Sequence, residues 1–566
     1  MDARPRTVQA LLHTGDQYVI PLFQRYYTWE KEDWERLWSD LLLLMEEGSE
    51  QKRHFLGPLV TVPDRHAPGA TPAYMVIDGQ QRLTTLSLLF CALRDEAREN
   101  GWNTLASEIE KSYLVNEFRT GDERYKLSLR LRDRAMYLSL IDEPETAIGV
   151  TRLLSAYHYH RKRIGGEEFN ESEAFLRAFF MTAAQRLEFV AITLAEENPY
   201  KIFQSLNSTG VPLAEADLIR NYVFMKVPGK EQERFDEVAW TPLEHHFDQA
   251  GVLDAGALTG FLRDALISHG SYVGRDATFE AFEERYPFET LQPFDVLKEL
   301  NELAKLRDII AGLSAHASEP VHLQLAALRE LDVGTSYPLM LELLRRHQNG
   351  ELPIDQLIDC IGKTSGFVFR RYVCGESSRG YGRWFAAACA EIETDPRRKL
   401  RAFYVAKGWP HDERFRAAFE RMNLYHSGYA LAVLARLERS LQRSSEVVSL
   451  DQCQIEHVMP QTIGDDEEGK DWKNSLGEGW EQTWATWLHT PGNLTLVGGD
   501  YNASMSNQAF EAKKPILSES RVYLNVHFRN PSLQTWTAKE IAERARTLSS
   551  MARTLWPGSE VAQTTI

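Results

Sequence analysis

The chain has few of the features that mark secreted, membrane-bound or disulfide-stabilised proteins. Its five cysteines are scattered along 566 residues and never form a Cys-x-x-Cys pair, which argues against a disulfide framework and against a cysteine-rich zinc site. The longest apolar runs, residues 41–45 and 88–93, are far shorter than the roughly 20 residues of a membrane-spanning helix. The first residues contain no apolar signal core. We therefore expect a cytoplasmic protein with free thiols and no membrane partner.

A surplus of positive charge is also missing. The formal net charge is −17 at pH 7, whereas phosphate contacts depend on lysine and arginine. A local basic surface can still exist on an acidic protein, so charge neither supports nor excludes a DNA partner. The basic residues that are candidates for such a surface are Arg119, Arg124, Lys126, Arg130, Arg132, Arg134, Arg161, Lys162, Arg163, Arg370, Arg371, Arg379 and Arg383. Alternation with leucines predicts a strand that presents Arg130, Arg132 and Arg134 on one side.

A complete phosphate-binding P-loop is the third absence. The tripeptide Gly362-Lys363-Thr364 looks like the end of a Walker A motif, but Leu357 stands where the first glycine of that motif belongs. If the protein uses a nucleoside triphosphate, another site must bind it.

The remaining composition is ordinary for a globular protein, with 43% hydrophobic and 26% charged residues. The length suggests roughly three or four domains. Residues 73–78 form a short apolar run that Gly79 and an apolar stripe at helical spacing follow, which indicates a mixed α/β N-terminal third. The middle of the chain is mostly helical in pattern, and strands and loops follow from Ser444, before a final helix near residues 537–555. The predicted fold class is α+β and largely helical.

The strongest motif of the chain lies near the C-terminus. Residues 453–461 read Cys-Gln-Ile-Glu-His-Val-Met-Pro-Gln, which predicts a strand with Glu456 and His457 at its end. Phosphodiester hydrolysis needs a base that takes a proton from water and a cation that stabilises the developing charge. A neutral histidine is a suitable base near pH 7, and carboxylate and amide oxygens suit a hard cation such as Mg²⁺.

Two further elements follow this strand. Residues 492–497 (Gly-Asn-Leu-Thr-Leu-Val) predict a second strand, and a turn at residues 498–502 leads to a predicted helix over residues 506–514, which Pro515 closes. A histidine followed by two asparagines in this strand–strand–helix order resembles the HNH (His-Me finger) nuclease fold, most of all the HNH domain at the C-terminus of GmrSD-type restriction proteins. The resemblance covers residues 415–566.

The resemblance implies a role for each polar residue of the motif. His457 is the expected general base, and Asn493 is expected to orient it through side-chain or backbone hydrogen bonds. Glu456 and Asn502 are the implied oxygen ligands of one Mg²⁺ or Mn²⁺ ion, in a one-metal ββα site. Many HNH motifs carry Asp or His at the position of Glu456, so this sequence departs from the common pattern there. His489 is expected to contact a phosphate or to support the site.

Three separated motifs stand out in the N-terminal part. Residues 20–29 read Ile-Pro-Leu-Phe-Gln-Arg-Tyr-Tyr-Thr-Trp, residues 78–85 read Asp-Gly-Gln-Gln-Arg-Leu-Thr-Thr, and residues 203–217 read Phe-Gln-Ser-Leu-Asn-Ser-Thr-Gly-Val-Pro-Leu-Ala-Glu-Ala-Asp. In the second motif a glycine turn leads from a strand into a helix. The N-terminus of a helix offers free N–H groups to phosphate, and Arg82 in the first turn adds further donors.

Together these motifs resemble the DGQQR-motif domain of GmrSD, SspE and BrxU-like defence proteins, a domain similar to the ParB/sulfiredoxin fold. The resemblance covers residues 5–230. It implies a site for GTP or ATP in which Asp78 holds a metal ion or a ribose hydroxyl. The expected nucleotide-binding residues are Gln24, Arg25, Asp78, Gly79, Gln80, Gln81, Arg82, Asn207 and Asp217.

The two resemblances predict three parts: a nucleotide-binding, DNA-sensing domain (1–235), a helical coupling region (236–414) and an HNH nuclease domain (415–566). They imply a nucleotide-regulated DNA endonuclease or nickase of the anti-phage, type IV-like restriction class. Its activity would depend on a modified base or on phosphorothioate in the DNA. The expected partners are DNA and a nucleoside triphosphate, and a homo-oligomer is an open possibility.

Two other functions fit the same sequence. One is a nucleotide-triggered, non-specific DNase that kills the infected cell, which would cut DNA without regard to modification. The other is a ParB-like DNA-binding regulator with an inactive HNH domain, against which the intact Glu456, His457, Asn493 and Asn502 argue. RNA also stays open as a substrate, because the chemistry of metal and base is indifferent to the sugar.

Overall fold

The computed structural model describes residues 2–46, 52–64, 71–166, 172–194, 214–249, 252–442, 449–450, 452–498, 505 and 507–559. The fold is α+β and 63% helical, which confirms the predicted class. The chain divides into two compact units. The first contains residues 1–262 and 274–301, and the second contains residues 263–273 and 302–566.

A mixed six-stranded sheet is the centre of the first unit. Its strands are β1 (Asp2–Thr7), β2 (Gln17–Val19), β3 (His54–Asp64), β4 (Ala73–Asp78), β5 (Leu127–Ser128) and β6 (Leu187–Thr193). They lie side by side in the order β1-β6-β3-β4-β2-β5. The pairs β1–β6 and β3–β4 are antiparallel, and the other three pairs are parallel. A separate two-stranded ladder joins β7 (Asp248–Gln249) and β8 (Val252–Leu253).

Helices account for most of the rest of this unit. They are α1 (Val8–Leu12), α2 (Lys31–Glu46), α3 (Gln80–Glu99), α4 (Asn103–Ile109), α5 (Leu131–Asp142), α6 (Arg152–Ile164), α7 (Glu173–Arg186), α8 (Glu215–Lys226), α9 (Gln232–Phe235), α10 (Thr241–His245), α11 (Ala255–Ile267), α12 (Thr278–Arg285) and α13 (Pro293–Ala311), of which α11 and α13 end within the second unit. The central helix is α3, which packs against α4, α6 and α7 and is buried from Leu83 to Ala97. The strand 73–78 and the helix after Gly79 confirm the predicted strand–turn–helix.

The second unit consists of helices around a two-stranded hairpin. Its elements are α14 (Glu319–Arg329), α15 (Tyr337–Gln348), α16 (Ile354–Val373), α17 (Tyr381–Glu391), α18 (Pro396–Ala406), α19 (Asp412–Phe419), α20 (Ala430–Leu441), β9 (Cys453–His457), α21 (Glu467–Leu476), α22 (Trp480–Trp487), β10 (Leu494–Gly498), α23 (Phe510–Glu519) and α24 (Ala538–Leu555). Strands β9 and β10 are antiparallel, and α23 follows them, as the predicted strand–strand–helix order requires. A hydrophobic core that includes Val458, Trp472, Phe510 and Trp536 packs behind the hairpin.

One local prediction about this part is wrong. The last helix of the motif does not end before Pro515 but runs from Phe510 to Glu519 with the proline inside it. Burial of Leu517 beyond the proline favours the longer helix, although the proline removes one hydrogen bond. The division into two compact units does not test the three predicted functional parts, 1–235, 236–414 and 415–566, which stay a prediction.

The predicted basic strand is wrong as well. Residues 131–142 are helical, and Arg130 at the start of that helix is buried. Arg370 and Arg371, two other candidates for a DNA surface, are buried on α16. A run of basic residues does not by itself predict a basic surface. An arginine can be buried when carboxylates and carbonyl groups from distant parts of the chain accept its hydrogen bonds. None of the helices that the structure describes is both long and apolar enough to cross a membrane.

Candidate functional site

Two histidine rings face each other at the end of the β9–β10 hairpin. His457 is the last residue of β9 and lies opposite Leu494, the first residue of β10. Its Nε2 atom is 3.2 Å from Nδ1 of His489, which stands just beyond α22. A hydrogen bond between two ring nitrogens requires a proton on one of them, so the pair can hold a proton and pass it from ring to ring.

A short segment before α20 closes one side of this histidine pair. The backbone N–H groups of Leu424 and Tyr425 donate to the carbonyl oxygen of His489 at 2.9 and 3.3 Å. The Tyr425 ring lies 4.5 Å from the ring of His457 and stacks on His489 at 5.4 Å. The ring of His426 meets that of His489 edge-on at 4.5 Å. Sequence reasoning missed Tyr425 and His426, because they lie outside the motif.

Burial favours the uncharged form of both rings. His457 is buried, with only 3% of its surface exposed. Burial, followed by the neighbouring His489, Lys513 and His426, lowers the pKa of His457 to about 3. Burial and His426 also lower the pKa of His489. An uncharged imidazole keeps a lone pair on one nitrogen, so His457 meets the first requirement of a general base at neutral pH.

Asn493 holds the main chain around the pair. Its buried Oδ1 accepts hydrogen bonds from the N–H of Met459 at 2.8 Å and from the indole N–H of Trp536 at 3.0 Å. Its Nδ2 donates to the carbonyl oxygens of Met459 at 3.0 Å and Leu488 at 2.9 Å. These four bonds tie the turn after His457 to the chain just before the second histidine. The predicted role of Asn493 in orienting His457 stays a prediction.

Glu456 occupies a buried ion pair. Its carboxylate accepts a hydrogen bond from Nζ of Lys513 at 2.6 Å, and the same ammonium donates to the carbonyl oxygen of His457 at 2.9 Å. Burial raises the pKa of Glu456, and the charge of Lys513 lowers it. Burial lowers the pKa of Lys513, and the charge of Glu456 raises it. Successive residues of a strand point to opposite faces, which places this pair and the His457 ring on different sides of β9.

The described residues do not complete a metal site. Mg²⁺ prefers oxygen ligands. The carboxylate of Glu456 already forms an ion pair with Lys513, and the histidine pair offers ring nitrogens instead of oxygens. Within the described ranges, no three His, Cys, Asp or Glu side chains are grouped to hold a metal ion. Asn502, the second predicted ligand, lies outside the described residues. The ligand set stays a prediction.

The Asp78–Arg82 turn is the second candidate site. Gly79 adopts a φ of +98°, which favours glycine, and α3 begins at Gln80 as predicted. Oδ1 of Asp78 accepts a hydrogen bond from the N–H of Gly79 at 2.8 Å. The guanidinium of Arg82 donates to the carbonyl oxygen of Leu56 at 2.6 Å and lies 3.5 Å from Asp78. Gly57 has a φ of +103°, which favours glycine, and a Cβ there would displace this guanidinium, which is 2.1 Å from the Cβ position.

The glutamines of the first two motifs hold these motifs together. Nε2 of Gln24 donates to the carbonyl oxygen of Ile77 at 2.8 Å, which links the first motif to the residue before Asp78. Oε1 of Gln81 accepts from the N–H of Thr28 at 2.8 Å, and its Nε2 donates to the carbonyl oxygen of Tyr26 at 3.0 Å. The structure therefore brings the two motifs together, and it uses Gln24 and Gln81 in main-chain contacts.

The structure describes only the end of the third motif, residues 214–217. Asp217, near the start of α8, has a pKa that burial raises, and Arg25 is the strongest influence that lowers it. The place of Asp217 and Arg25 in a nucleotide site stays a prediction. Asn207 and the rest of residues 203–213 lie outside the described residues, and its predicted contact stays untested.

The sequence matches two families that together contain both candidate sites. Residues 8–224 match the GmrSD restriction endonuclease, N-terminal domain, and residues 409–551 match the GmrSD restriction endonucleases, C-terminal domain. The first match includes the Asp78–Arg82 turn, and the second includes both histidines of the pair.

The chain is a GmrSD-like restriction protein. Membership implies nuclease activity with DNA as the substrate. No curated protein matches the sequence.

Two buried arginines of this GmrSD-like protein have a structural role that the sequence analysis did not predict. Arg220 forms ion pairs with Asp236 and, at 2.7 Å, with Glu244, and it donates to the carbonyl oxygen of Leu22 at 2.9 Å. Arg130 lies 3.6 Å above the Tyr26 ring and donates to the carbonyl oxygen of Gln24. Together they hold the backbone of residues 20–29 from within the core.

Lys513 was also missed, although the sequence carries a signal for it. Phe510, Lys513 and Leu517 are the buried residues of α23 and fall on one face at helical spacing. A lysine on the apolar face of a helix is rare unless a carboxylate pairs with it. In the GmrSD-like protein that carboxylate is Glu456, 57 residues earlier in the chain.

Proposed function

We propose that the His457–His489 pair is the hydrolytic centre of a DNA endonuclease or nickase with an HNH-type fold. The observation that carries the proposal is the geometry of this pair. An uncharged, buried His457 stands 3.2 Å from a second ring at the end of a hairpin, inside the segment that matches the restriction endonuclease family. The order β9, β10, α23 supports the ββα assignment.

His457 acts in this proposal as the base that takes a proton from the attacking water. A pKa of about 3 makes the free ring a weak base, because proton transfer is most efficient when the pKa is near the working pH. A bound phosphodiester brings negative charge to the ring, and a nearby anion raises the pKa of a histidine. Substrate binding therefore strengthens the base, and His489 accepts or supplies the bridging proton.

A requirement for Mg²⁺ or Mn²⁺ belongs to the proposal through the family resemblance. Glu456 and Asn502 are the proposed ligands, and a bound cation would supply charge stabilisation for the phosphodiester. Because Glu456 pairs with Lys513, metal binding at this carboxylate has to compete with a buried ammonium. The described residues give no further support for the ion.

The N-terminal turn is proposed to bind GTP or ATP and to regulate the nuclease. The left-handed Gly79, the start of α3 and Arg82 place phosphate-binding groups at one turn, in an arrangement similar to the ParB/sulfiredoxin fold. Arg25 and Asp217, from the two other motifs, are further proposed nucleotide-binding residues, and the Arg25 charge lowers the pKa of Asp217 against the effect of burial. Dependence on a modified base or on phosphorothioate, an anti-phage role and a homo-oligomer are further parts of the proposal.

A plasmid-cleavage assay tests the function directly. It compares Mg²⁺, Mn²⁺ and a chelator, with and without GTP or ATP, on unmodified, base-modified and phosphorothioate-containing DNA. The matched variants are His457→Ala and His316→Ala, because His316 is an exposed histidine outside the C-terminal family match. Cleavage by the wild type and His316→Ala, but not by His457→Ala, supports the centre.

The other outcomes identify the alternatives. Nucleotide-dependent cleavage of all three DNAs at equal rates points to a non-specific DNase. Equal cleavage by His457→Ala refutes the assigned base. No cleavage by any protein under any condition leaves a DNA-binding regulator as the better description, and gel-shift binding to the same plasmids then tests that description.

A further inference from the structure

A cavity in the second unit lies outside both candidate sites. It has a volume of about 630 Å³, within the range of roughly 300–1,000 Å³ that is usual for ligand pockets. Its walls come from residues 331–335, from α16, from the glycine-rich segment 376–382 that leads into α17, and from Tyr272 and Tyr429. Except for Tyr429, these residues precede the C-terminal family match, so membership assigns them no role.

The interior combines aromatic faces with hydrogen-bond acceptors. Four tyrosines line it, and two carboxylates, Asp332 and Glu376, lie among them. Arg414 donates to Glu376 at 2.6 Å, which holds this carboxylate ionised. Asp332 is exposed and adopts a left-handed backbone with φ of +48°, an unusual conformation for a residue other than glycine. No lysine or arginine is among the described residues that line the cavity, so this lining disfavours a triphosphate.

The rim has the opposite charge. Arg379 is exposed within the lining loop 376–382. Arg383 is also exposed, and its guanidinium lies 5.5 Å from the ring centre of Tyr272, which is itself 53% exposed. The arginines at the rim fit a phosphate backbone that stays at the surface. The acceptors and aromatic rings that line the cavity fit a neutral, flat group that enters it.

One short segment joins this cavity to the histidine pair. Tyr425 packs on His457 and His489, and four residues later Tyr429 lines the cavity. The hydroxyl of Tyr372, another lining residue, donates to the carbonyl oxygen of Ser427 at 3.0 Å. Four residues span at most about 14 Å, so the cavity lies within a few nucleotides of a phosphodiester held at His457.

We propose that this cavity receives a nucleobase extruded from the DNA that the histidine pair cuts. The proposal rests on the nuclease function proposed above. The base stacks on tyrosine, its amino group donates to Asp332 or Glu376, and Arg379 and Arg383 hold the flanking phosphates. Because residues 424–429 contact both places, a seated base also fixes Tyr425 against the histidine rings.

Binding of mispaired DNA tests the proposal, because a mispaired base costs less to extrude than a paired one. The full chain with His457→Ala, which binds without cutting, is titrated with a paired duplex and with duplexes that carry one mispair at successive positions. A mispair at one position, or at two adjacent ones, is expected to tighten binding about tenfold over the paired duplex. Adding Tyr272→Ala or Asp332→Asn is expected to reduce this ratio to about twofold or less. Asparagine tolerates the left-handed backbone of Asp332, so the loop keeps its shape.

The matched control is Phe118→Ala, which removes an aromatic side chain that is 93% exposed and lies in the other unit. It is expected to keep the full tenfold preference. DNA binding without a position-specific preference, or a preference that both cavity variants retain, overturns the cavity assignment and leaves the nuclease proposal standing. No DNA binding by any variant, together with no plasmid cleavage by the wild type, refutes the nuclease proposal and this inference with it.

Discussion

The Asp78–Arg82 turn and the His457–His489 pair use buried polar atoms in opposite ways. Both amide atoms of Gln81 are engaged by main-chain groups of Tyr26 and Thr28. In contrast, Nε2 of His457 faces only another ring that can also gain or lose a proton. A side chain whose polar atoms are all bound to the backbone stabilises a shape. A titratable atom that faces a second titratable atom is available for chemistry.

The largest effect is expected for a substitution at the histidine pair. His457→Ala removes the base and is expected to reduce the rate of DNA cleavage about 10³-fold, in the usual range for a general base. Nucleotide hydrolysis, if the N-terminal turn performs it, is expected to stay within about twofold in the absence of DNA, because the other unit carries it. Single-turnover cleavage and phosphate release measure the two activities. Equal losses of both would show that the pair and the turn do not have separate tasks.

Asn493→Ala is expected to give the second largest effect, on stability. The substitution leaves two donors and two acceptors without their buried partner, from Met459, Trp536 and Leu488. We expect the free energy of unfolding of this unit to fall by about 3 kcal/mol or more, since each buried unpaired group costs about 1–3 kcal/mol. Denaturant unfolding followed by tryptophan fluorescence measures it. The control Asn349→Ala, at an exposed asparagine, should change stability by less than about 0.5 kcal/mol.

Acid sensitivity compares the two units through one histidine in each. Burial lowers the pKa of His160 to about 3 in the first unit, and burial followed by Arg544 lowers the pKa of His527 to about 4 in the second. The unfolded rings bind protons below their usual pKa of 6.5, whereas the folded rings stay neutral, so stability falls as the pH drops below 6.5. The loss approaches about 1.4 kcal/mol per pH unit for each ring.

Denaturant unfolding at pH 7.5, 6.5 and 5.5 checks this prediction, with His160→Gln and His527→Gln as variants that cannot titrate at these positions. Each variant is expected to flatten the pH dependence of its own unit and to leave that of the other unchanged. Unaltered slopes in both variants would mean that other groups carry the acid response.

Local patterns explain which parts of this molecule sequence reasoning could predict. The strand 73–78, the glycine turn and α3 follow from an apolar run, one glycine and helical spacing, all within a few residues. The hairpin strand that ends at His457 follows in the same way. The histidine pair itself combines residues 32 positions apart, and its distance depends on Asn493 and on the segment at Tyr425. Such contacts are set by tertiary packing, which no local pattern encodes.

Charged residues show the same limit more sharply. An alternating run predicts Arg130 on a surface strand. In the structure Arg130 is buried and forms ion pairs with Asp236 and Glu244, more than 100 residues later in the chain. Glu456 is predicted as a metal ligand, and Lys513 from a later helix pairs with it. A buried charge requires a partner, and the sequence shows the charge without showing which distant residue provides the partner.

The smallest expected effect is a difference in stability between substitutions of two adjacent glutamines, Gln80 and Gln81. Each of them is 7% exposed. Gln81→Ala leaves the N–H of Thr28 and the carbonyl of Tyr26 unpaired and is expected to lower stability by about 2 kcal/mol. Gln80 forms no side-chain hydrogen bond with the described residues, so Gln80→Ala is expected to cost less than about 1 kcal/mol.

Nucleotide binding separates the two glutamines further. If Gln80 faces the nucleotide and Gln81 holds residues 20–29, Gln80→Ala weakens GTP or ATP binding at nearly unchanged stability, whereas Gln81→Ala lowers stability and affinity together. Titration calorimetry with GTP and ATP, beside thermal unfolding of the same samples, measures both quantities. Equal losses of stability in the two variants would contradict the division, because they would make Gln80 as much a part of the scaffold as Gln81.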